Sequence, residues 1–392
     1  MKGLRKIIDK LKPNFEKGGR FPWLQSVFEG FETFLFVPNT VTKSGSHIRD
    51  AIDMKRGMIT VVIALLPAML FGMYNVGFQH FKAIGATAEF WEMFLFGFWK
   101  VLPLIVVSYG VGLAIEFCFA QIRHHEINEG FLVTGLLIPL IVPINVPLWM
   151  VAVATAFAVI IGKEVFGGSG MNIVNPALLA RAFLFFAYPL KMSGNAVWIR
   201  LGEGQQAIDG FSGATPLGEA LVGDFDKLHA SWSISDMIFG FIPGSVGETS
   251  FLAIMLGAAL LLFTGMASWK IILSVFAGGY AMGVIFNVIG ANEFMLLPAW
   301  EHLLLGGFAF GAVFMATDPV SSAQTEKGKY IYGLLIGILA ILIRVLNPAY
   351  PEGMMLAILL LNVFAPLIDH LVVGRNIKRR QKRALKVVSL HH

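Results

Sequence analysis

Long apolar segments separated by short polar ones fill most of this 392-residue chain. A helix needs about 17–25 apolar residues to cross the ~30 Å hydrocarbon core of a bilayer. Ten segments meet or approach that length: 57–77, 94–119, 130–146, 147–163, 175–190, 249–265, 270–290, 300–316, 330–346 and 353–373. The pattern therefore predicts an all-α polytopic membrane protein with about ten transmembrane helices.

Two features of this pattern indicate broken helices and an internal repeat. The third and fourth spans are barely long enough alone, and a proline-rich turn, PLIVPINVP (139–147), joins them. Short helices at membrane depth are tolerated only where protein buries them or where they line a cavity. An Asn-Pro-Ala triplet opens the fifth span at 175–177, and a second precedes the tenth at 347–349. Two such triplets could arise by chance, but five spans per half predict two inverted repeats, with broken helices and binding sites at their interface.

Positive charge sets the predicted orientation. Basic residues gather at the N-terminus, near 123–126, at 326–329 and at 376–383, which share one side of a ten-span protein. The positive-inside rule makes that side cytoplasmic. The predicted layout is a cytoplasmic amphipathic segment (1–56), a first five-helix repeat (57–190), an extracytoplasmic loop (191–248), a second repeat (249–373) and a basic cytoplasmic tail (374–392).

Composition agrees with a membrane protein and narrows its chemistry. Hydrophobic residues make up 56% of the chain and charged residues only 14%, whereas soluble domains carry roughly 25% charged residues. The basic clusters lie at the ends and suit an anionic membrane surface better than nucleic acid. The single cysteine, Cys118, cannot form an internal disulfide, a four-cysteine zinc site or an iron–sulfur cluster. Redox chemistry would therefore need another cofactor.

A glycine-rich segment, GKEVFGGSGMNIVNPALLARAF (162–183), is the first candidate ligand site. Its glycines allow a ligand to approach the backbone closely, and Asn172 and Asn175 follow at a helix start. Exposed N–H groups at such a start suit phosphate, carbonyl oxygens or the edge of a flavin ring. A tight turn between two helices is the alternative interpretation.

A second candidate is ATDPVSSAQT (316–325), in which Asp318 precedes a proline and several hydroxyl groups follow. Hard cations such as sodium prefer oxygen ligands, and broken transporter helices often provide them. The alternative is that Asp318 caps a re-entrant helix.

Ionisable residues within or beside apolar helices are functional candidates by default. They are Glu116, Glu164, Arg181, Arg344 and Asp369. For Glu164 and Arg181, structural ion pairs are an equally good interpretation. The interfacial cluster HHEINEG (124–130) could bind a metal, but adjacent histidines are more often plain interfacial residues, and no metal site is predicted.

The predicted extracytoplasmic loop contains DGFSGATPLGEAL (209–221), whose glycines leave the Thr215 hydroxyl accessible. By general rules this is a flexible turn. However, DGFSGAT (209–215) resembles the D-x-x-[S/T]-G-A-T signature on which a flavin transferase esterifies FMN to the final threonine. The matching residues are Asp209, Ser212, Gly213, Ala214 and Thr215.

Together with 162–189 and 316–325, this motif extends the resemblance over essentially the whole chain. The chain is similar to a family of membrane proteins that includes the B subunit of sodium-translocating NADH:quinone oxidoreductases and the D subunit of Rnf electron-transport complexes. The N-terminal extension, with VTKSGSHIRDAIDMKRGM (41–58), favours the quinone reductase branch.

The resemblance implies covalent FMN on Thr215 and a non-covalent riboflavin. Electrons would arrive from a second covalently bound FMN on a partner subunit and pass to quinone, coupled to sodium export across the bacterial inner membrane. The resemblance also implies a partner subunit that oxidises NADH with FAD and an iron–sulfur centre. This chain has no GxGxxG fingerprint after a strand and is not expected to oxidise NADH alone.

Further residue roles follow from the same resemblance. Asp318 and Asp369 match sodium-pathway positions, riboflavin is expected near Asn172 and Asn175, and quinone is expected near Glu126 and Glu129. Two alternatives remain: an Rnf-type subunit that does not use quinone, and a flavin-free solute or ion permease built on the inverted repeat.

Overall fold

The computed structural model contains helices and loops, with no strand among the residues that it describes. Those residues are 2–15, 18–21, 25, 28, 30, 32, 36, 42, 44–48, 54–123, 130–201, 207–208, 211, 213–223, 225–347 and 350–389. In chain order, the α-helices are α1 (Lys2–Leu11), α2 (Met54–Ala83), α3 (Phe90–Arg123), α4 (Phe131–Ile141), α5 (Leu148–Gly162), α6 (Pro176–Ala187), α7 (Pro189–Met192), α8 (Pro216–Val222), α9 (Phe225–Ser231), α10 (Ile234–Phe239), α11 (Phe251–Phe263), α12 (Trp269–Ile289), α13 (Glu301–Leu304), α14 (Phe308–Phe310), α15 (Glu326–Leu346) and α16 (Met354–Ser389).

Within the described ranges, six helical segments are long and apolar enough to cross a membrane: α2, α3, α5 with the 3₁₀ turn that follows it, α12, α15 and α16. The prediction of an all-α polytopic membrane protein is therefore confirmed. The other four predicted spans coincide with short or broken helices. These are α4, α6, α11 and the segment 301–315, in which α13, α14 and a π-helical turn (Gly311–Met315) follow one another.

The short helices end where the sequence removes or replaces helical hydrogen bonds. Helix α4 ends before the turn that contains Pro143 and Pro147, as the proline-rich sequence predicts. At the start of α6, the Asn175 side-chain oxygen accepts hydrogen bonds from the N–H groups of Ala177 and Leu178, and Pro176 occupies the first turn. At about 1.5 Å per residue, α4, α6 and α11 are only ~16–20 Å long. None of the three crosses a bilayer alone.

Small residues bring the long helices into close contact. A Cβ atom at Gly97 of α3 would collide with the carbonyl oxygen of Met73 in α2, and one at Gly77 would collide with that of Met93. Gly278 of α12 faces the backbone of α15 in the same way. Without a hydrophobic driving force between helices in lipid, such close backbone packing is a main source of stability.

The two halves contain matching helix pairs. Helix α3 packs on α5 as α12 packs on α15, and α5 packs on α6 as α15 packs on α16. Between the halves, α2 contacts α11 and α6 contacts α16. This pairing is what a repeat produces; the inverted orientation and the predicted domain boundaries stay predictions.

The last membrane helix continues into the predicted basic tail. Helix α16 runs 36 residues from Met354 to Ser389, so at about 1.5 Å per residue it is ~54 Å long. That length exceeds the ~30 Å hydrocarbon core, so residues of the basic segment extend the last membrane helix beyond the membrane.

We expect Gly97→Ala to destabilise the protein, because the new methyl group must push α2 and α3 apart. Overpacking of this kind costs about 1–3 kcal/mol. The matched control is Gly110→Ala on the same helix, where no heavy atom lies within 4 Å of the added Cβ. Thermal unfolding of the purified subunit in detergent should show a lower midpoint for Gly97→Ala only. An equal loss in both variants would contradict the close-packing argument.

Candidate functional site

Two cavities lie at opposite ends of the short helices. The first has a volume of about 320 Å³ and is called the Thr215 cavity; the second, of about 420 Å³, is called the Asp318 cavity. Helix α6 begins at the Asp318 cavity with Pro176 and reaches the Thr215 cavity with Arg181 and Phe185. Helix α11 likewise extends from the Thr215 cavity toward the Asp318 cavity, which it lines with Leu261.

Thr215 lies in the wall of the first cavity, at the start of α8. Its side-chain oxygen accepts a hydrogen bond of 3.0 Å from the N–H of Gly218, and Pro216 follows in the first helical turn. Threonine is a favoured N-cap because it satisfies one of the free N–H groups of the helix start. Thr215 is half-buried, and the cap holds its hydroxyl at the cavity surface.

The residues before Thr215 fit a narrow space. Gly213 has a φ angle of +64°, which side chains other than glycine rarely adopt, and an added Cβ would stand 2.9 Å from the carbonyl oxygen of Asn195. Ala214 is buried. Backbone geometry and space therefore account for Gly213 and Ala214 of the motif, whereas Asp209 and Ser212 lie outside the described residues.

The segment against which Gly213 packs is itself anchored. The Asn145 side chain donates a 2.6 Å hydrogen bond to the carbonyl oxygen of Ile199. The Nδ1 atom of His80, in α2, lies 2.6 Å from the carbonyl oxygen of Arg200, and the His80 ring stacks on Phe96. These bonds tie one wall of the Thr215 cavity to α2 and to the turn after α4.

Three charged groups line the same cavity, and two of them, Arg181 and Glu248, are buried. The Arg181 guanidinium donates a 3.0 Å hydrogen bond to Glu248 and also pairs with Glu352. It donates as well to the carbonyl oxygen of Ile141, at the end of α4. Burial raises the pKa of Glu248 to about 7 against the opposing effect of Arg181, and the charge of Glu352 adds to the rise.

Arg181 therefore forms structural ion pairs, which is one of the two interpretations that the sequence allowed for this residue. Its two partners, Glu248 and Glu352, were not predicted from the sequence. Each is the only charged residue of a short stretch, SVGETS and AYPEGM. An isolated charge in such a stretch was the signal in the sequence that could have identified them.

Arg344 has a related structural role. Its buried guanidinium donates to the carbonyl oxygens of His302 at 2.5 Å, Leu305 at 3.0 Å and Pro351 at 3.1 Å. These bonds join the segments that carry Gly306 and Glu352 to the rim of the Thr215 cavity. The other ionisable candidates are also paired: Glu116 with Lys163, and Glu164 with Arg123.

At the other end of the short helices, Asn172, Asn175, Lys163 and Asp318 line one cavity. The Asn172 amide donates to the carbonyl oxygen of Val174 at 3.1 Å. The structure thus brings together two candidate segments, 162–183 and 316–325, that are distant in sequence.

The Asp318 carboxylate begins a turn in the broken segment. It accepts a 2.7 Å hydrogen bond from the Ser321 hydroxyl and a 3.1 Å bond from the N–H of Val320. Burial raises the pKa of Asp318, and these two bonds partly oppose the rise. Asp318 therefore closes a turn and lines a cavity. No helix begins directly after it, because the next helix, α15, starts at Glu326 with Thr325 as its cap; the expectation that Asp318 caps a re-entrant helix is not met, and its role as a sodium ligand stays a prediction.

Asp369 binds the C-terminal end of the segment 316–325. From α16 it accepts hydrogen bonds from the N–H groups of Gln324 (2.7 Å) and Thr325 (2.9 Å) and from the Thr325 hydroxyl (2.6 Å). It is not among the residues that line the Asp318 cavity. Asp318 and Asp369 thus hold the two ends of 316–325, and only Asp318 borders the cavity.

The quinone candidates Glu126 and Glu129 lie outside the described residues, as does most of the HHEINEG cluster. Within the described part of the chain, no group of three or more His, Cys, Asp or Glu side chains could hold a metal ion.

Comparison with known proteins assigns the chain to a family. The family model described as NQR2, RnfD, RnfE family matches residues 41–378. The B subunit of the Na(+)-translocating NADH-quinone reductase of Chromohalobacter salexigens is 48% identical over 404 residues, covering 97% of both chains. The protein of the same name from Azotobacter vinelandii is 48% identical over 406 residues, covering 97% of this chain and 99% of the relative. The one from Pseudomonas aeruginosa strain PAO1 is 49% identical over 409 residues, with the same coverage. The chain therefore belongs to the NQR2, RnfD, RnfE family.

Proposed function

We propose that this chain is the membrane subunit of a sodium-translocating NADH:quinone reductase that carries covalent FMN on Thr215. The observation that carries the proposal is the Thr215 hydroxyl, held by a helix cap at the wall of a cavity of about 320 Å³. The names of the relatives support the reductase. The chain is one subunit of a complex and does not oxidise NADH alone.

The Thr215 cavity suits a flavin. Its volume is within the range of about 300–1,000 Å³ typical of small-molecule sites, and Phe185, Trp198 and Tyr350 supply aromatic walls. When bound, FMN supplies electron-transfer chemistry, while the protein supplies position and electrostatics. A phosphoester bond to Thr215 retains a water-soluble dianion at a cavity near the surface. The Thr215 hydroxyl, at the wall of this cavity, is the group that an exported flavin transferase would esterify.

The Asp318 cavity suits the non-covalent riboflavin. Asn172 and Asn175 bring amide groups to a wall that is otherwise mostly apolar, the usual character of a small-molecule site. The 12 residues of α6, at about 1.5 Å each, connect the two cavities over ~18 Å. Two flavins at the ends of one short helix would form an electron relay across the membrane interior.

Sodium export is assigned to the segment held by Asp318 and Asp369, and quinone reduction to the region of Glu126 and Glu129. The partners are a subunit with a second covalent FMN and a NADH-oxidising subunit with FAD and an iron–sulfur centre. The protein lies in the bacterial inner membrane with both termini in the cytoplasm, which supports the outward position of Thr215. Positive charge at the termini and in the loops on one side supports this orientation.

Thr215→Val should abolish covalent flavin attachment, because valine has no hydroxyl to esterify. Denaturing gels viewed under ultraviolet light, with protein from cells that contain the transferase, should show a fluorescent band in the wild type and none in the variant. Thr215→Ser keeps a hydroxyl and should retain the band. Thr249→Val removes a second threonine hydroxyl from the same cavity and should also retain it. A dark wild-type band would refute covalent attachment and favour a flavin-free permease.

Asp318→Asn and Asp369→Asn should each raise the sodium concentration needed for half-maximal quinone reduction in the assembled complex, while flavin content stays normal. Asp369→Asn should also lower thermal stability, because it weakens charge-assisted bonds to two backbone N–H groups worth about 1.5–3 kcal/mol each. Asp236→Asn, in the capping box at the start of α10, is the matched control for sodium dependence. Unchanged sodium dependence in both test variants would remove these residues from the pathway. Sodium-stimulated turnover without quinone would favour an Rnf-type subunit.

A further inference from the structure

Two glutamates share one guanidinium at the Thr215 cavity. Arg181 pairs with both Glu248 and Glu352, so the cluster has one negative charge in excess when both carboxyl groups are ionised. Only 4% of the Glu248 side chain is exposed, compared with 16% for Glu352. Glu352 thus lies nearer to solvent, and Glu248 is the more deeply buried of the two.

Such a cluster binds a proton readily. Two carboxylates close together resist simultaneous ionisation, and burial favours the neutral form of the deeper one. The pKa of Glu248 near 7 agrees with this arrangement. Near neutral pH, a small change of charge in the cavity is therefore enough to protonate or deprotonate Glu248.

The other groups around Glu248 do not compete for this proton. Tyr350 faces the cluster from the segment before α16, and burial raises the pKa of its phenol well above the ordinary value, so it stays neutral. Ser245 does not titrate in this range. The Arg344 guanidinium lies next to Gly306 and donates hydrogen bonds to backbone carbonyl oxygens. His302 is fully buried, its carbonyl oxygen accepts a hydrogen bond from Arg344, and it does not line the cavity.

We propose that Glu248 is a redox-linked proton acceptor, which takes up a proton when an electron enters the Thr215 cavity and releases it when the electron leaves. This inference rests on the proposed function, because it requires a redox group in that cavity. An electron adds one negative charge to a cavity of low polarity. One proton from solvent then forms an O–H bond with the Glu248 carboxylate, and the net charge of the cavity is unchanged. The O–H bond breaks when the electron passes on, and the proton returns to solvent.

The direction in which the flavin midpoint potential changes with pH follows from this charge balance. The added negative charge raises the pKa of Glu248 in the reduced state above its value in the oxidised state. Between those two pKa values, each electron brings one proton, so the midpoint potential of the Thr215-bound flavin becomes more negative as pH rises. Below the lower value Glu248 is already protonated, and above the higher value it stays ionised, so the potential is independent of pH in both ranges.

The test is a potentiometric titration of the assembled complex at several pH values. The Thr215-bound flavin is identified as the spectral component that is absent from Thr215→Val. The wild type should show a potential that falls with pH from about neutral pH upward, and Glu248→Gln should lose this dependence. The reduced-minus-oxidised infrared spectrum should contain a carboxylic acid C=O band in the wild type that is missing from Glu248→Gln. The same pH dependence in both proteins would overturn the proposal.

Two further variants keep the test decisive. Glu352→Gln removes the charge that helps to raise the pKa of Glu248, so the pH range in which the potential varies should move to lower pH. If that range does not move, the two glutamates do not act together as proposed. Glu301→Gln changes another buried glutamate, which pairs with His229 and does not line the cavity, and should leave both readouts unchanged. The fluorescent gel band separates the two proposals: its absence from the wild type refutes flavin attachment, whereas its presence without pH dependence refutes only the role of Glu248.

Discussion

Two buried guanidinium groups satisfy the backbone where helices of this protein break. A helix that ends inside a membrane protein leaves carbonyl oxygens without partners, and each costs several kcal/mol in hydrocarbon. At the end of α4, Arg181 bonds the carbonyl oxygen of Ile141, and Gly247 bonds that of Leu140 at 2.8 Å. At the end of α13, Arg344 bonds those of His302 and Leu305. The ends of α4 and α13, and the wall of the Thr215 cavity beside them, depend on these bonds.

The placement of these arginines connects stability with function. Burying a charge in a protein interior is expensive unless it is paired and hydrogen-bonded, and Arg181 meets that condition with one carbonyl oxygen and two carboxylates. The carboxylates that compensate Arg181 also line the Thr215 cavity. The requirement to satisfy a broken helix therefore brings titratable groups to the place where a redox cofactor is proposed. An uninterrupted helix in the position of α4 would need neither the arginine nor the glutamates.

Much of the architecture could be predicted, and what the sequence did not show has physical causes. All ten predicted spans coincide with helical segments, because apolar length and proline position are local properties. Helix α16 extends farther than predicted, since hydropathy detects only the apolar part of a helix and Lys and Arg are good helix formers. The bonds of Asp369 anchor the start of α15, a contact that the sequence did not predict, while its place in a cation pathway stays a prediction. A sequence does not show whether a carboxylate faces a cavity or a neighbouring backbone.

The sequence alone determined the membrane location, the positions of the helices, the break after α4 and the threonine that matches a flavin-attachment motif. Each of these depends on the residue types within one segment. Only the tertiary structure decided that Asn172 and Asp318 border one cavity, and that Thr215, Arg181, Glu248 and Glu352 border another. These residues are far apart in the chain and meet because α6, α11 and the segment 301–315 are too short to cross the membrane. Which side chains meet at the end of a short helix depends on how helices from both halves pack, and no local pattern carries that information.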